Sequence, residues 1–233
     1  MRPRKRALSK DLHKGKTVTS RTGPILPDRR SLPRGFGYFP RLLDRRAQGA
    51  LLAEIRAVIA AAPFYRPAMP GTGKPFSVSM TNCGALGWVS DKAGGYRYER
   101  LHPMTGEPWP AMPGQITQIW RAVAAYEAQP QACLINHYGA GAKMGDHRDA
   151  DEADASAPVV SISLGDTARF RLGGLRRRDQ VTSFDLVSGD VVVLGGPARL
   201  AYHGIARIFP ESSDLLAEGG RFNLTLRRVT EPD

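Results

Sequence analysis

Between residues 42 and 61 apolar side chains recur at near-helical spacing: Leu43, Leu51, Ile55, Val58 and Ile59 fall on one side. Asp44 stands near the start as a cap and Pro63 follows as a stop, so the pattern predicts a helix over 42–61. A second helix is predicted over 116–128, closed by Pro130. The stretch 65–113 between them is rich in Gly and Pro and reads as irregular, with one strand-like run over 76–80. A loop region that long is usually functional. After Gln131 the period shortens. Ala132–Tyr138, 159–164, 169–172, 183–187, Val191–Leu194 and 222–229 read as short strands separated by Gly and Asp turns. Many short strands with turns between them predict a β-sandwich or barrel, with the two helices packed outside it.

Composition adds a division along the chain. A length of 233 residues suits one domain with an appendage, and 42% hydrophobic residues suffice for a core. Residues 1–46 hold 14 Lys or Arg against 3 acidic residues, whereas the remainder is neutral, so the net charge of +11 resides at the N-terminal end. We therefore divide the chain into a basic, disordered arm at 1–35 and a single domain at 36–233, with a lid at 65–113 and a β core at 131–230. Such an arm attracts polyanions by counterion release at phosphates; a tail that only aids solubility is the alternative. Its Arg-rich start also has the flavour of an organelle transit peptide, against which stand Pro3, Pro24, Pro27, Pro33 and the lack of an amphipathic pattern. The longest apolar runs, such as 57–62, are too short to span a membrane, and no apolar segment of secretory type follows the basic start. Two cysteines make no disulfide framework, and Cys133 within an apolar run reads as a buried structural thiol. A reducing, cytoplasmic setting and a monomer are expected.

The candidate chemistry begins at His147 and Asp149. On a strand, residues i and i+2 share a face, so both can bind one metal. His203 is the best third ligand. His13 lies in the arm, His102 in a Pro-rich loop, and His137 alternates away from Asn136 and Tyr138. Two His and one carboxylate suit non-haem Fe(II), but they equally suit a hydrolytic zinc. The last strand shifts the balance. Arg221, Asn223, Thr225 and Arg227 share one face, and Asn136 and Tyr138 share another. Taken alone, the first face could be a half-exposed strand with its polar side in water. Taken together, these groups can hold two carboxylates in a pocket, which favours iron with a 2-oxo dicarboxylate.

The segments 134–138, 147–152, 157–165, 173–175, 189–193, 202–205 and 221–225, with 80–84, Trp88 and 108–113 upstream, resemble the AlkB family of Fe(II)- and 2-oxoglutarate-dependent nucleic-acid dealkylases. The upstream segments match the branch typified by bacterial AlkB itself, and the likeness spans roughly residues 60–230. It implies a mainly β fold with flanking helices, built on a double-stranded β-helix (jelly-roll) core. It implies Fe(II) on His147, Asp149 and His203, with 2-oxoglutarate and O2 as co-substrates. Arg221 would bind the distal carboxylate with Tyr138 and Asn223, and Arg227 and Asn136 would lie near the end that chelates iron. In the lid, Trp88 would stack on the damaged base, Tyr96 would contact the substrate backbone, Asp151 would meet the polar edge of the base, and Arg177 would line the mouth.

The expected activity is oxidative demethylation of bases such as N1-methyladenine and N3-methylcytosine in alkylated DNA, single- or double-stranded, with RNA an alternative, releasing formaldehyde. A 2-oxoglutarate oxygenase acting on another substrate class stays open, as does a non-catalytic nucleic-acid-binding protein. Leu194 stands where the nearest members carry Trp, His137 and Arg148 differ from the usual neighbours, and the lid is one residue longer between Trp88 and Tyr96. Without the resemblance, Trp88 reads as a core aromatic, and 176–178, which follows Gly173 and Gly174, reads either as a solvated turn or as a holder of phosphates.

Overall fold

Asp44 caps the first helix of the computed structural model, its Oδ1 accepting from the Ala47 amide at 2.8 Å, and helix α1 runs over Arg45–Ala61. The structure describes residues 24–28 and 32–232. The predicted start at 42 was early, because Leu43 and Asp44 belong to the cap. Leu51, Leu52, Ile55 and Val58 nevertheless form the buried stripe. Helix α2 spans Gly114–Val123 and stops short of the expected 128, since Ala125 takes φ 49, a left-handed conformation that cannot continue the helix. Ile116, Ile119 and Trp120 are its buried residues.

Both helices cover the outer face of a six-stranded antiparallel sheet. Its strands are β1 (Phe36–Phe39), β2 (Ser79–Gly84), β5 (Ala132–Tyr138), β7 (Val159–Gly165), β10 (Val191–Leu194) and β12 (Arg221–Arg227), in the order β1-β10-β7-β12-β5-β2. A second sheet holds β6 (Met144–His147), β8 (Thr167–Leu172), β9 (Thr182–Leu186) and β11 (His203–Phe209), in the order β6-β11-β8-β9. Two antiparallel sheets whose neighbours are rarely consecutive in sequence make the jelly roll that was expected.

Alternation sorts the core into two layers. Phe222, Leu224 and Leu226 point from β12 toward the helices and join Ile135, Val160, Ile162 and Trp120. Between the sheets lie Leu134, Phe170, Leu172, Phe184 and Leu194, with Met144 and Trp88 against them. Each fully buried Leu, Ile or Phe contributes about 1.5–3 kcal/mol, so the two layers dominate the stability of the fold.

The strand-like run expected over 76–80 is shifted: the strand is Ser79–Gly84, and it forms an edge of the large sheet rather than part of an irregular region. The same stretch also contains a hairpin, β3 (Gly87–Asp91) and β4 (Gly95–Glu99), paired Trp88↔Tyr98 and Ser90↔Tyr96. Short strands bounded by glycine lacked the length to be seen in the sequence. Residues 1–23 and 29–31 of the basic arm lie outside the described residues. Near the arm's end, the Ile25 amide donates to Asp185 Oδ2 at 2.9 Å, and the Asp185 amide donates to the Ile25 carbonyl at 2.7 Å.

Candidate active site

His147 is the last residue of β6 and His203 the first of β11, and the two are partners in register. Antiparallel pairing therefore brings the rings to 4.6 Å between centroids. Asp149 lies two residues past His147, beyond the end of β6. The expected i, i+2 strand geometry is thus only half present, and the ligand set is closed by the loop instead. The His147 Nε2 atom is 3.8 Å from Asp149 Oδ1, and His203 Nε2 is 3.8 Å from Oδ2. One ligand atom from each residue lies within 4.8 Å of the others.

The protonation states suit a metal. Each imidazole turns Nδ1 to the carbonyl two residues earlier, Gly145 for His147 and Ala201 for His203, both at 3.0 Å. That contact keeps the proton on Nδ1 and leaves Nε2 as the donor. Burial, then the neighbouring His147, pushes His203 down to about 4, so it is neutral at physiological pH. Burial works to raise Asp149, but Arg227 and both imidazoles outweigh it and hold the carboxyl well below the usual range. Asp149 Oδ1 accepts from Arg227 Nη2 at 2.9 Å, whereas Oδ2 is buried with no hydrogen-bond partner among the described residues. A buried carboxylate beside two imidazole Nε2 atoms fits a divalent iron.

The polar face of β12 is not in water: all seven of its residues are buried, which removes the half-exposed alternative. Arg221 is fully buried opposite Tyr138, and Asn223 opposite Asn136. Arg221 Nη2 donates to Ser163 Oγ at 2.8 Å, while its Nε and Nη1 have no partner among the described residues. Burial lowers Arg221 to about 10 and raises Tyr138 to about 12. Asn136 Nδ2 donates to Asn223 Oδ1 at 3.3 Å, and Asn223 Nδ2 donates to Ser161 Oγ at 2.7 Å. Two buried guanidinium nitrogens without hydrogen-bond partners are costly, and a ligand carboxylate would offset that cost.

In the hairpin, Asn82 holds the Trp88 backbone from both sides, donating to its carbonyl and accepting from its amide, each at 3.0 Å. The indole stacks on Tyr96 at 5.4 Å and 28°, and its Nε1 donates to Asp151 Oδ2 at 2.8 Å. Trp88 is therefore only partly a core aromatic. Tyr96 is 44% exposed beside it. Arg177 lies 5.0 Å over the Tyr202 ring, one residue before His203, and Arg148 lies 5.8 Å over the same ring. Arg176 pairs with Asp179 at 2.9 Å, as a solvated turn would.

The rejected histidines are accounted for, save His13, which lies outside the described residues. His102 binds the Pro63 carbonyl through Nε2 at 2.8 Å, and His137 stacks on Phe64. Cys133 faces Cys83 across β5 and β2, and both are free buried thiols. The hydrogen bond to Cys83, together with burial, raises the Cys133 thiol well above its usual value, which makes it inert.

Several site residues escaped the sequence reading. Ser161 and Ser163 on β7 were visible as polar positions alternating with Val160, Ile162 and Leu164. Arg199, Glu152 and Tyr98 gave no local signal, because their partners are distant in sequence.

Comparison with known proteins agrees with this geometry. Residues 35–227 match the family described as the 2OG-Fe(II) oxygenase superfamily. The chain is 55% identical over 197 residues to an alpha-ketoglutarate-dependent dioxygenase AlkB homolog of Caulobacter vibrioides, covering 84% of this chain and 88% of that one. It is 44% identical over 183 residues to the alpha-ketoglutarate-dependent dioxygenase AlkB of Escherichia coli, covering 77% and 83%. The solved structure of OsALKBH1 superposes with a TM-score of 0.68 at 30% identity, over 84% of this chain and 99% of that one. His147, Asp149 and His203 are the facial triad for iron, and the chain belongs to the AlkB family of Fe(II)- and 2-oxoglutarate-dependent dioxygenases.

Proposed function

We propose that this dioxygenase repairs alkylated bases in DNA by oxidative demethylation, taking the damaged base between the Trp88 lid and the loop that carries Asp149 and Asp151. The observation that carries this reading is the 2.8 Å bond from Trp88 Nε1 to Asp151, which brings a flat aromatic surface and a polar edge together beside the iron ligands. Stacking on such a surface is worth about 1–3 kcal/mol per base. N1-methyladenine and N3-methylcytosine cannot pair normally, so extruding them costs less than extruding an intact base.

Arg221, with Tyr138 and Asn223, holds the distal carboxylate of 2-oxoglutarate. Arg227 and Asn136 lie at the end that chelates iron. Iron with 2-oxoglutarate and O2 supplies the oxidising power: one oxygen atom goes to succinate as carbon dioxide leaves, and the other to the methyl carbon, whose hydroxymethyl product breaks down to formaldehyde and the restored base. The protein's part is to position and desolvate. Arg227 keeps Asp149 ionised, the Nδ1 contacts fix both imidazoles, and the inter-sheet core excludes water.

Arg177 and Arg148 reach phosphates from the mouth. Among the described residues neither is hydrogen-bonded to a carboxylate, and both guanidiniums lie over the Tyr202 ring, which leaves their donors available to an anion. The arm at 1–35 adds sequence-independent attraction to the duplex. We place the enzyme in the cytoplasm as a monomer; no described helix is long and apolar enough to cross a membrane.

Formaldehyde and succinate are to be measured with oligonucleotides carrying N1-methyladenine or N3-methylcytosine, with and without iron. Equal, iron-dependent release of both is expected. Succinate without formaldehyde from any methylated oligonucleotide would move the substrate to another class, and no succinate at all would leave a binding protein.

A further inference from the structure

Glu152 is a buried carboxylate to which neither metal binding nor base recognition has assigned a task, its side chain being 2% exposed. Each of its oxygens serves a different element. Oε2 accepts from Arg199 Nη2 at 2.9 Å. The same guanidinium donates from Nη1 to the Asp149 carbonyl at 2.7 Å and from Nε to the Ala157 carbonyl at 2.6 Å, so it grips the backbone of an iron ligand. Oε1 lies 3.3 Å from Arg227 Nε, whose Nη2 bonds the Asp149 carboxylate. Oε1 also accepts the hydroxyl of Tyr98, which comes from β4 of the lid hairpin.

The two carboxylates and two guanidiniums balance in charge, so the Tyr98 hydroxyl is not needed for neutrality. Phenylalanine would fill the same space without it. Burial raises the Tyr98 phenol well above its ordinary value, which keeps it a donor. Its partner across the hairpin is Trp88, the residue that meets Asp151. The hairpin thus touches the 149–152 loop at two successive acidic residues, through a part-exposed indole and a buried hydroxyl.

We propose that Glu152 is a positioning residue that seats the lid hairpin, through Tyr98, on the same carboxylate that fixes Asp149 through Arg199 and Arg227. Lid seating and metal geometry are then one mechanical unit, and the lid cannot lift without loosening the groups behind the iron ligand. The idea rests on the lid reading given above.

Two conservative variants test it. With Mn(II) and 2-oxoglutarate bound, so that no turnover occurs, amide hydrogen exchange over 87–99 should be roughly tenfold faster in Tyr98→Phe than in the parent, with β5 and β12 unchanged. Glu152→Gln should weaken Mn(II) binding by about tenfold, the low end for groups that orient a metal ligand. In the iron enzyme, Tyr98→Phe should raise succinate formed per formaldehyde severalfold while the 2-oxoglutarate KM stays within about twofold. A merely structural contact would lower Tm and leave exchange, metal affinity and that ratio unchanged. Hairpin exchange at the parent's rate, or unchanged Mn(II) affinity in Glu152→Gln, overturns the proposal. If the parent releases no formaldehyde from methylated DNA, the proposed function fails, and the two Mn(II) measurements still decide the role of Glu152.

Discussion

Arg221 is the residue whose environment is most telling. It is a fully buried guanidinium with two nitrogens that have no hydrogen-bond partner among the described residues. Removing a buried charge that pairs with a ligand costs about 2–5 kcal/mol of binding. Arg221→Leu should therefore raise the 2-oxoglutarate KM by at least about 30-fold, by that same arithmetic. The Tm of the ligand-free protein should not fall, because the uncompensated charge is lost as well; a KM within twofold of the parent would remove Arg221 from the site. Arg148 and Arg177 are tested by salt. Replacing either with Ala should flatten the dependence of log K on log[salt] for DNA by about 0.9, the contribution of one phosphate contact.

His137 provides a pH prediction. Burial between Phe64 and Phe222 lowers its pKa below 6.5. The unfolded chain then binds more protons in the window just below 6.5, so this group's contribution to stability is present above that window and is lost as pH falls through it. His137→Phe should reduce the slope of unfolding free energy against pH between 5 and 7 in denaturant titrations, and an unchanged slope would refute the assignment.

At the scale of elements, the β6–β11 pair is the hinge of the metal centre. Its register alone sets His147 against His203. Gly204 follows His203, and a Cβ there would meet the Met144 carbonyl at 2.7 Å and Asp146 Oδ1 at 2.9 Å, both on β6. Gly204→Ala must push the strands apart, at a cost of about 1–3 kcal/mol for overpacking. Metal titration should show weaker binding together with a lower Tm, and parent-like metal affinity would show that register does not control the triad. The β3–β4 hairpin is the opposite case. Its strand β4 has no residue buried as fully as those of β12, and Tyr96 on it is 44% exposed, which suits an element that admits a base. Trp88→Ala should weaken binding of a methylated oligonucleotide by about 1–3 kcal/mol while leaving substrate-free succinate formation in place.

At the scale of the molecule, charge and catalysis are separated along the chain. The neutral body carries iron and co-substrate, and the excess positive charge lies N-terminal to it. Removing residues 1–23 takes away eight Lys or Arg and spares both Ile25, which bonds Asp185, and β1. The truncated protein should bind DNA more weakly with a flatter salt dependence, and should keep its kcat on a short methylated oligonucleotide. Identical binding at several salt concentrations would make the arm a bystander.

The sequence by itself determined the elements with strong periodicity and the chemistry with distinctive residues. The α1 stripe, strands Ala132–Tyr138 and Val191–Leu194, the two faces of β12 and the His147/Asp149/His203 triad were all legible, because alternation and ligand type are local properties. The β3–β4 hairpin, β6 and β11 were not: the hairpin strands and β6 are short and rich in polar residues, and a register shift between Ile205 and Arg207 breaks the alternation of β11. Only the tertiary structure decided that Asp149 completes the triad from a loop, that Ser163 meets Arg221, and that Glu152 joins Tyr98 to Arg199 and Arg227. Those contacts cross between strands and loops separated by tens of residues, and no pattern along one strand encodes what the opposite sheet brings to it.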